Sequence, residues 1–153
     1  MQPALAEAMP ALERHRGTWE GVYRHLDADG KLVDEHRTVV RCAFPDSGPY
    51  PYIQRNLFIW ADGREVRTEL PGTLRDGKLW WDVDTFHGYS WETHDGILLL
   101  NLARKDEPGA NFVEMIAIGD TGEYRARTWQ WFKHGRLYRR TLCDERLVSR
   151  KEA

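Results

Sequence analysis

The spacing of tight-turn dipeptides constrains this chain more than any other feature. Asp-Gly occurs at 29-30, 62-63, 76-77 and 95-96, and His-Gly at 134-135; such pairs supply the positive φ angles of β-hairpin turns. Further breaks fall at Glu107-Pro108-Gly109 and Gly119-Asp120-Thr121-Gly122. Between them the pattern predicts strands near 19-26, 32-43, 52-60, 64-70, 78-84, 89-94, 97-104, 111-118, 124-133 and 137-147. Short connections demand antiparallel neighbours, and about ten twisted strands in chain order close most readily into a barrel. The expected fold is all-β: an antiparallel up-and-down β-barrel of about ten strands with a short N-terminal helix.

A length of 153 residues without a low-complexity linker fits a single domain over 1-153, large enough to bury a core without staples. The net charge of -2 gives no electrostatic footprint for nucleic acid. Met1 to His15 carries Glu7 and Glu13 and lacks a basic start before an apolar run, so no signal peptide is expected. No segment approaches the roughly 20 apolar residues of a membrane helix. The expectation is a cytoplasmic protein with neither nucleic acid nor membrane as partner. Cys42 and Cys143 fall in strands that would flank the first strand, roughly 9.6 Å apart. That exceeds disulfide reach, so two buried thiols are expected. No CxxC or HxxxH spacing occurs, and no metal site is expected.

Two-residue turns fix register. With Asp62-Gly63 as such a turn, Ile59 faces Val66, Leu57 faces Thr68 and Arg55 faces Leu70. The face holding Glu65, Arg67 and Glu69 belongs in water and takes Asn56, Phe58 and Trp60 with it, leaving Ile53, Leu57, Ile59, Val66 and Leu70 inside together with Arg55. The same treatment of Asp95-Gly96 pairs Trp91 with Leu100 and Tyr89 with Leu102, placing both aromatics inside. His134-Gly135 sets Trp131 against Tyr138, Trp129 against Arg140 and Arg125 against Asp144. Tyr23 and His25 share the side of Trp19. Glu114 shares a face with Phe112, Ile116 and Ile118, but the opposite face is apolar too, and both orientations stay open.

The expected lumen thus joins apolar walls to a few polar groups, the composition of a small-molecule pocket. Arg55, Tyr23, Tyr89 and Trp91 are the expected ligand-binding residues, with Arg55 anchoring a carboxylate or carbonyl through its fork of donors. The plainer alternative has Arg55 and Glu114 neutralising each other. His25 and Glu114 are the candidate proton-transfer residues. The run from Trp80 to Gly88 contains Asp82, Asp84 and His87, and His87 with Asp84 could form an acid–base pair if the bend lies at the mouth, but solvated aspartates and a loop histidine are the preferred reading. His36 and His94 read as exposed. The Pro45–Pro49 segment reads as a rim of the barrel mouth.

Gly17-Thr18-Trp19, directly after the helical stretch and opening the first strand, resembles the start of the lipocalin-like, or calycin, superfamily, and more particularly its small bacterial intracellular members. The resemblance runs from the N-terminal helix to the last strand. It implies a helix plugging the barrel base and an arginine laid over Trp19, with Arg139, Arg140 and Arg146 as the choices. The strand order also resembles that of nitrobindin, where a histidine near the C-terminus holds haem. No histidine follows His134, so haem is not carried over and no cofactor is expected. No serine nucleophile elbow, P-loop or dinucleotide fingerprint is present. Two functions follow: binding of an apolar, aromatic or acidic small molecule inside the barrel, or a cofactor-free lyase, isomerase or cyclase using pocket acid–base groups.

Overall fold

The computed structural model describes residues 1–151. The strands are β1 (Gly17–Asp27), β2 (Leu32–Ala43), β3 (Tyr52–Ile59), β4 (Glu65–Arg75), β5 (Lys78–Asp82), β6 (Phe86–Glu92), β7 (Leu98–Arg104), β8 (Ala110–Ile118), β9 (Tyr124–Lys133) and β10 (Arg136–Ser149). Each pairs antiparallel with its chain neighbours, and β1 pairs with both β2 and β10, so the sheet closes into an up-and-down barrel. Closure leaves no strand edge to template aggregation.

One end is plugged. Helix α1 (Pro3–Ala8) and a 3₁₀ turn over Pro10–His15 lay Leu5, Met9 and Leu12 against Trp19, Val40 and Phe44, all buried. The indole Nε1 of Trp19 donates to the His15 carbonyl at 2.8 Å. Glu92 caps the 3₁₀ turn: its Oε2 accepts from the amide of Ala11 (2.9 Å) and shares the amide of Leu12 (3.1 Å) with the Met9 carbonyl. Arg125 lies over the Trp19 ring at 4.6 Å and Arg150 at 5.8 Å. An arginine does cover the early tryptophan, but from β9 and from beyond β10 rather than from Arg139, Arg140 or Arg146. The Pro45–Pro49 segment lies at this plugged end, where Gln2 Nε2 donates to the Gly48 carbonyl at 3.1 Å; it is not the rim of the mouth.

Register departs from expectation at two Asp-Gly hairpins for one physical reason. Trp60 N–H donates to the Arg64 carbonyl and Gly63 N–H to the Trp60 carbonyl, both at 3.0 Å, so the loop holds Ala61, Asp62 and Gly63. Thr93 and Ile97 bracket His94, Asp95 and Gly96 in the same way, both bonds at 2.9 Å. Only the glycine of each loop has positive φ, +86° and +76°, the mark of a type I turn followed by a left-handed residue. The extra residue pairs Arg55 with Glu69, Leu57 with Arg67 and Tyr89 with Asn101. β4 and β7 keep their expected faces, and β3 and β6 turn over.

At His134-Gly135 both residues have positive φ, and Lys133 faces Arg136 across the expected two-residue turn. A bulge at Tyr138 then adds one residue to β10. Trp131 faces Arg139, Trp129 faces Thr141 and Arg125 faces Glu145, each shifted by one from expectation. Cys42 and Cys143 are buried free thiols. No helix among the described residues is long and apolar enough to cross a membrane.

Candidate functional site

The end opposite the plug is open, and a cavity of 360 Å³ runs down from it. That volume lies towards the lower end of small-molecule pockets. Its walls carry Phe58 and Trp60 at the end of β3, Trp81 on β5, Phe86 on β6, Leu100 and Leu102 on β7, Phe112 on β8, and Trp129 and Trp131 on β9. These positions follow from alternation. On β9 the residues Arg125, Arg127, Trp129 and Trp131 recur at a spacing of two and share the inward face. Phe112 and Trp131 stack at 4.6 Å between ring centroids.

The floor is a buried ionic network. Arg127 donates from Nε to Glu114 Oε1 at 2.7 Å, and from Nη1 to the Tyr23 hydroxyl at 2.8 Å and Glu145 Oε1 at 3.3 Å. Arg125 pairs with the other oxygen of Glu145. Two guanidiniums balance two carboxylates, which is how charge survives away from water. Burial alone would raise Glu145, but Arg125 and Arg127 outweigh it and hold its carboxyl below the ordinary value. Burial raises Glu114, and Arg127 offsets that only in part. Burial also pushes up the Tyr23 phenol and the Cys143 thiol. His15, beneath the network, is driven well below the usual imidazole value by burial and then by Arg125.

Near the mouth lies a second polar group. His25 Nδ1 sits 2.8 Å from Thr141 Oγ1, which also accepts from Trp131 Nε1 at 2.8 Å. His36 Nδ1 lies 2.9 Å from Asp34 Oδ2, while Asp34 Oδ1 accepts from Trp60 Nε1 at 3.0 Å. Burial lowers His25 to about 4, helped by the charge of Arg139. Burial alone would raise Asp34, but its hydrogen bonds from His36 and Trp60 hold it below the ordinary carboxylate value. Arg104 is tied to Asp106 and Glu107. Arg139 also lines the cavity and makes no ion pair with a carboxylate among the described residues.

Of the expected site residues, Tyr23, His25 and Glu114 line one cavity. Arg55, Tyr89 and Trp91 do not. Arg55 is on the outer wall, its Nε 2.6 Å from Glu69 Oε2 with the side chain 42% exposed. Glu114 finds Arg127, not Arg55, as its counter-ion. Tyr89 stacks on the outside between Trp80 and Trp91, at 4.8 and 5.6 Å. Both misplacements come from the three-residue loops. His36, expected in water, is buried in the lumen because β2 runs one face from His36 through Thr38 and Val40 to Cys42. Asp82 pairs with Lys105, and His87 and His94 are exposed. Arg127 and Glu145 lie in the lumen without having been expected there, and Arg139 was expected only over Trp19. For Arg127 a signal existed, its spacing of two from Trp129 and Trp131; the Tyr138 bulge that turns Glu145 and Arg139 inward has none.

No family model matches the chain, and no curated protein matches it significantly in sequence. Solved structures do resemble it. A protein of unknown function from the DUF3598 family of Nostoc punctiforme superposes with a TM-score of 0.70 at 18% identity over 90% of this chain, which spans only 49% of that protein. The S-type phycobiliprotein lyase CPES from Guillardia theta gives a TM-score of 0.71 at 19% identity, covering 99% of this chain and 100% of the other. Rv2717c from M. tuberculosis gives 0.50 at 14% identity, covering 93% and 98%. At these identities the likeness is one of fold, a closed antiparallel up-and-down β-barrel.

Proposed function

We propose that the barrel holds one compact aromatic molecule bearing a carboxylate, with the rings between Trp60, Trp131 and Phe112 and the anion at Arg139. A single observation carries the reading: a cavity walled by aromatic rings has at its mouth a guanidinium with no carboxylate partner among the described residues. Aromatic walls reward flat ligands. An unopposed guanidinium rewards a carboxylate, through two parallel hydrogen bonds. Asn56 and Gln54, which also face the cavity, supply polar contacts to the remaining edge. A phycobiliprotein lyase shares the same barrel over its full length, which supports a ligand-handling role for this architecture.

The test is a tryptophan-fluorescence titration with naphthoate and with its methyl ester, on the natural protein and on Arg139→Met. Naphthoate is expected to quench and to bind about 10- to 100-fold more tightly than the ester, the worth of a charge-assisted hydrogen bond. Arg139→Met is expected to erase the difference. Equal binding of acid and ester by the natural protein would overturn the assignment.

The second reading is a cofactor-free lyase, isomerase or cyclase. It is favoured by His25 and Glu114 lining the same cavity. Holding is preferred over proton transfer because His25, lowered to about 4, is a weak base at neutral pH, and Glu114 is engaged by Arg127. In an enzyme, His25→Gln and Glu114→Gln would suppress turnover far more than binding.

A further inference from the structure

The mouth cluster has the makings of a metal site. β1 and β2 pair so that Asp34 lies opposite His25, and His36 follows two residues along the same face. One donor atom from each of the three lies within 4.8 Å of the other two. Asp34 Oδ2 is 2.9 Å from His36 Nδ1 and 3.9 Å from His25 Nε2. Around a tetrahedral ion with bonds of about 2.0 to 2.2 Å, ligand atoms stand roughly 3.3 to 3.6 Å apart. The two separations bracket that value, and closing on an ion asks for shifts of about 1 Å, within the play of the side-chain torsions. We propose that His25, Asp34 and His36 bind a divalent first-row transition metal ion, with its open coordination positions turned to the cavity.

The surroundings fit that role. Metal-bound histidines and carboxylates are oriented by partners on their far side. Thr141 Oγ1 holds His25 Nδ1, and when that nitrogen carries the proton, Nε2 presents its lone pair towards Asp34. Trp60 holds one oxygen of Asp34 and leaves the other for the ion. Two imidazoles and one carboxylate select zinc, iron, cobalt or nickel rather than calcium or magnesium, which take oxygen donors. The charge of Arg139 opposes a cation here, so the bound ion is expected to retain an anionic ligand such as chloride or hydroxide. The site rests on these side chains alone and stands independently of the aromatic-acid reading.

Cobalt and zinc are the probes, added to the metal-stripped whole protein with no organic ligand present. Cobalt is expected to bind one to one and to give visible bands that zinc abolishes. Asp34→Asn and His25→Gln are each expected to weaken binding by at least about 100-fold, Thr141→Val by about 10-fold, and the exposed His94→Gln not at all. Imidazole ¹⁵N shifts of the unmutated protein give a reading that does not depend on how the variants fold: zinc should move the resonances of His25 and His36. Absence of cobalt bands at millimolar metal, unchanged affinity in folded Asp34→Asn, or zinc shifts confined to His87, His94 and His134 would overturn the site.

Discussion

Arg127 is the residue on which the barrel floor depends, because it joins Glu114, Glu145 and Tyr23 at once. Arg127→Met leaves a buried carboxylate without its partner and is expected to cost about 3 to 5 kcal/mol in urea unfolding. Adding Glu114→Leu should recover much of the loss, since Arg125 still neutralises Glu145. Titration of single residues also sets the acid response. His15 and His25 have pKa values depressed below 6.5 in the fold, so the unfolded chain binds more protons as pH falls. Their contribution is complete above pH 6.5 and is lost as pH falls below it, for His25 as pH passes about 4. Glu114, raised by burial, acts in the opposite direction, but it stands against both histidines and, as pH falls further, against the lowered carboxyls of Asp34 and Glu145. Stability should therefore decline from pH 7 to pH 4.5, and the decline should be shallower in His25→Gln when urea midpoints are compared. At this scale the sequence was partly legible. Tyr23 and His25 follow from the position of Trp19 by alternation alone, whereas the pairing of Glu114 with Arg127 needed the register of β8 against β9, and that of Glu145 the register of β9 against β10.

The elements were more legible than their faces. Ten strands and their order follow from turn spacing, but an Asp-Gly pair serves both two-residue and three-residue loops. Asp76 has φ +51° and closes a two-residue turn; Asp62 and Asp95 do not adopt positive φ, and their loops take in the residue before. Whichever loop forms, β4 still shows Glu65, Arg67 and Glu69 to water, so the error fell wholly on β3 and carried Arg55 with it. Deleting Ala61 makes the consequence measurable. The shortened loop would drive either Arg55, Leu57 and Ile59 into the lumen or β4's charges inward, and the chain is expected to lose cooperative thermal unfolding and its near-ultraviolet circular dichroism. Asp76→Asn keeps a residue suited to the type I′ turn and should change stability by no more than about 0.5 kcal/mol. The Tyr138 bulge had no counterpart in composition or spacing, which is why the contacts past it shifted although the His134-Gly135 turn was read correctly.

The whole molecule has two ends with separate tasks, and that division was legible in outline from Gly17-Thr18-Trp19. The plugged end is apolar and packed: Leu5, Met9 and Trp19 are fully buried. The open end is aromatic and polar and contains the cavity. Between them the ionic floor separates the two, so changes below it should not be felt above it. Leu5→Ala removes packing from the plug and is expected to lower stability by about 2 to 5 kcal/mol. Its affinity for naphthoate should match that of the unaltered barrel. Phe58→Ala, on the cavity wall, reverses the pattern. Phe58 stacks on Tyr23 at 5.5 Å and lines the lumen, so its loss should weaken naphthoate binding about 10-fold or more, the worth of a lost aromatic contact and its buried area. Urea unfolding and fluorescence titration on the same two variants resolve the division. If Leu5→Ala weakened ligand binding as much as Phe58→Ala while remaining folded, the plug would be coupled to the cavity and the two-ended description would fail.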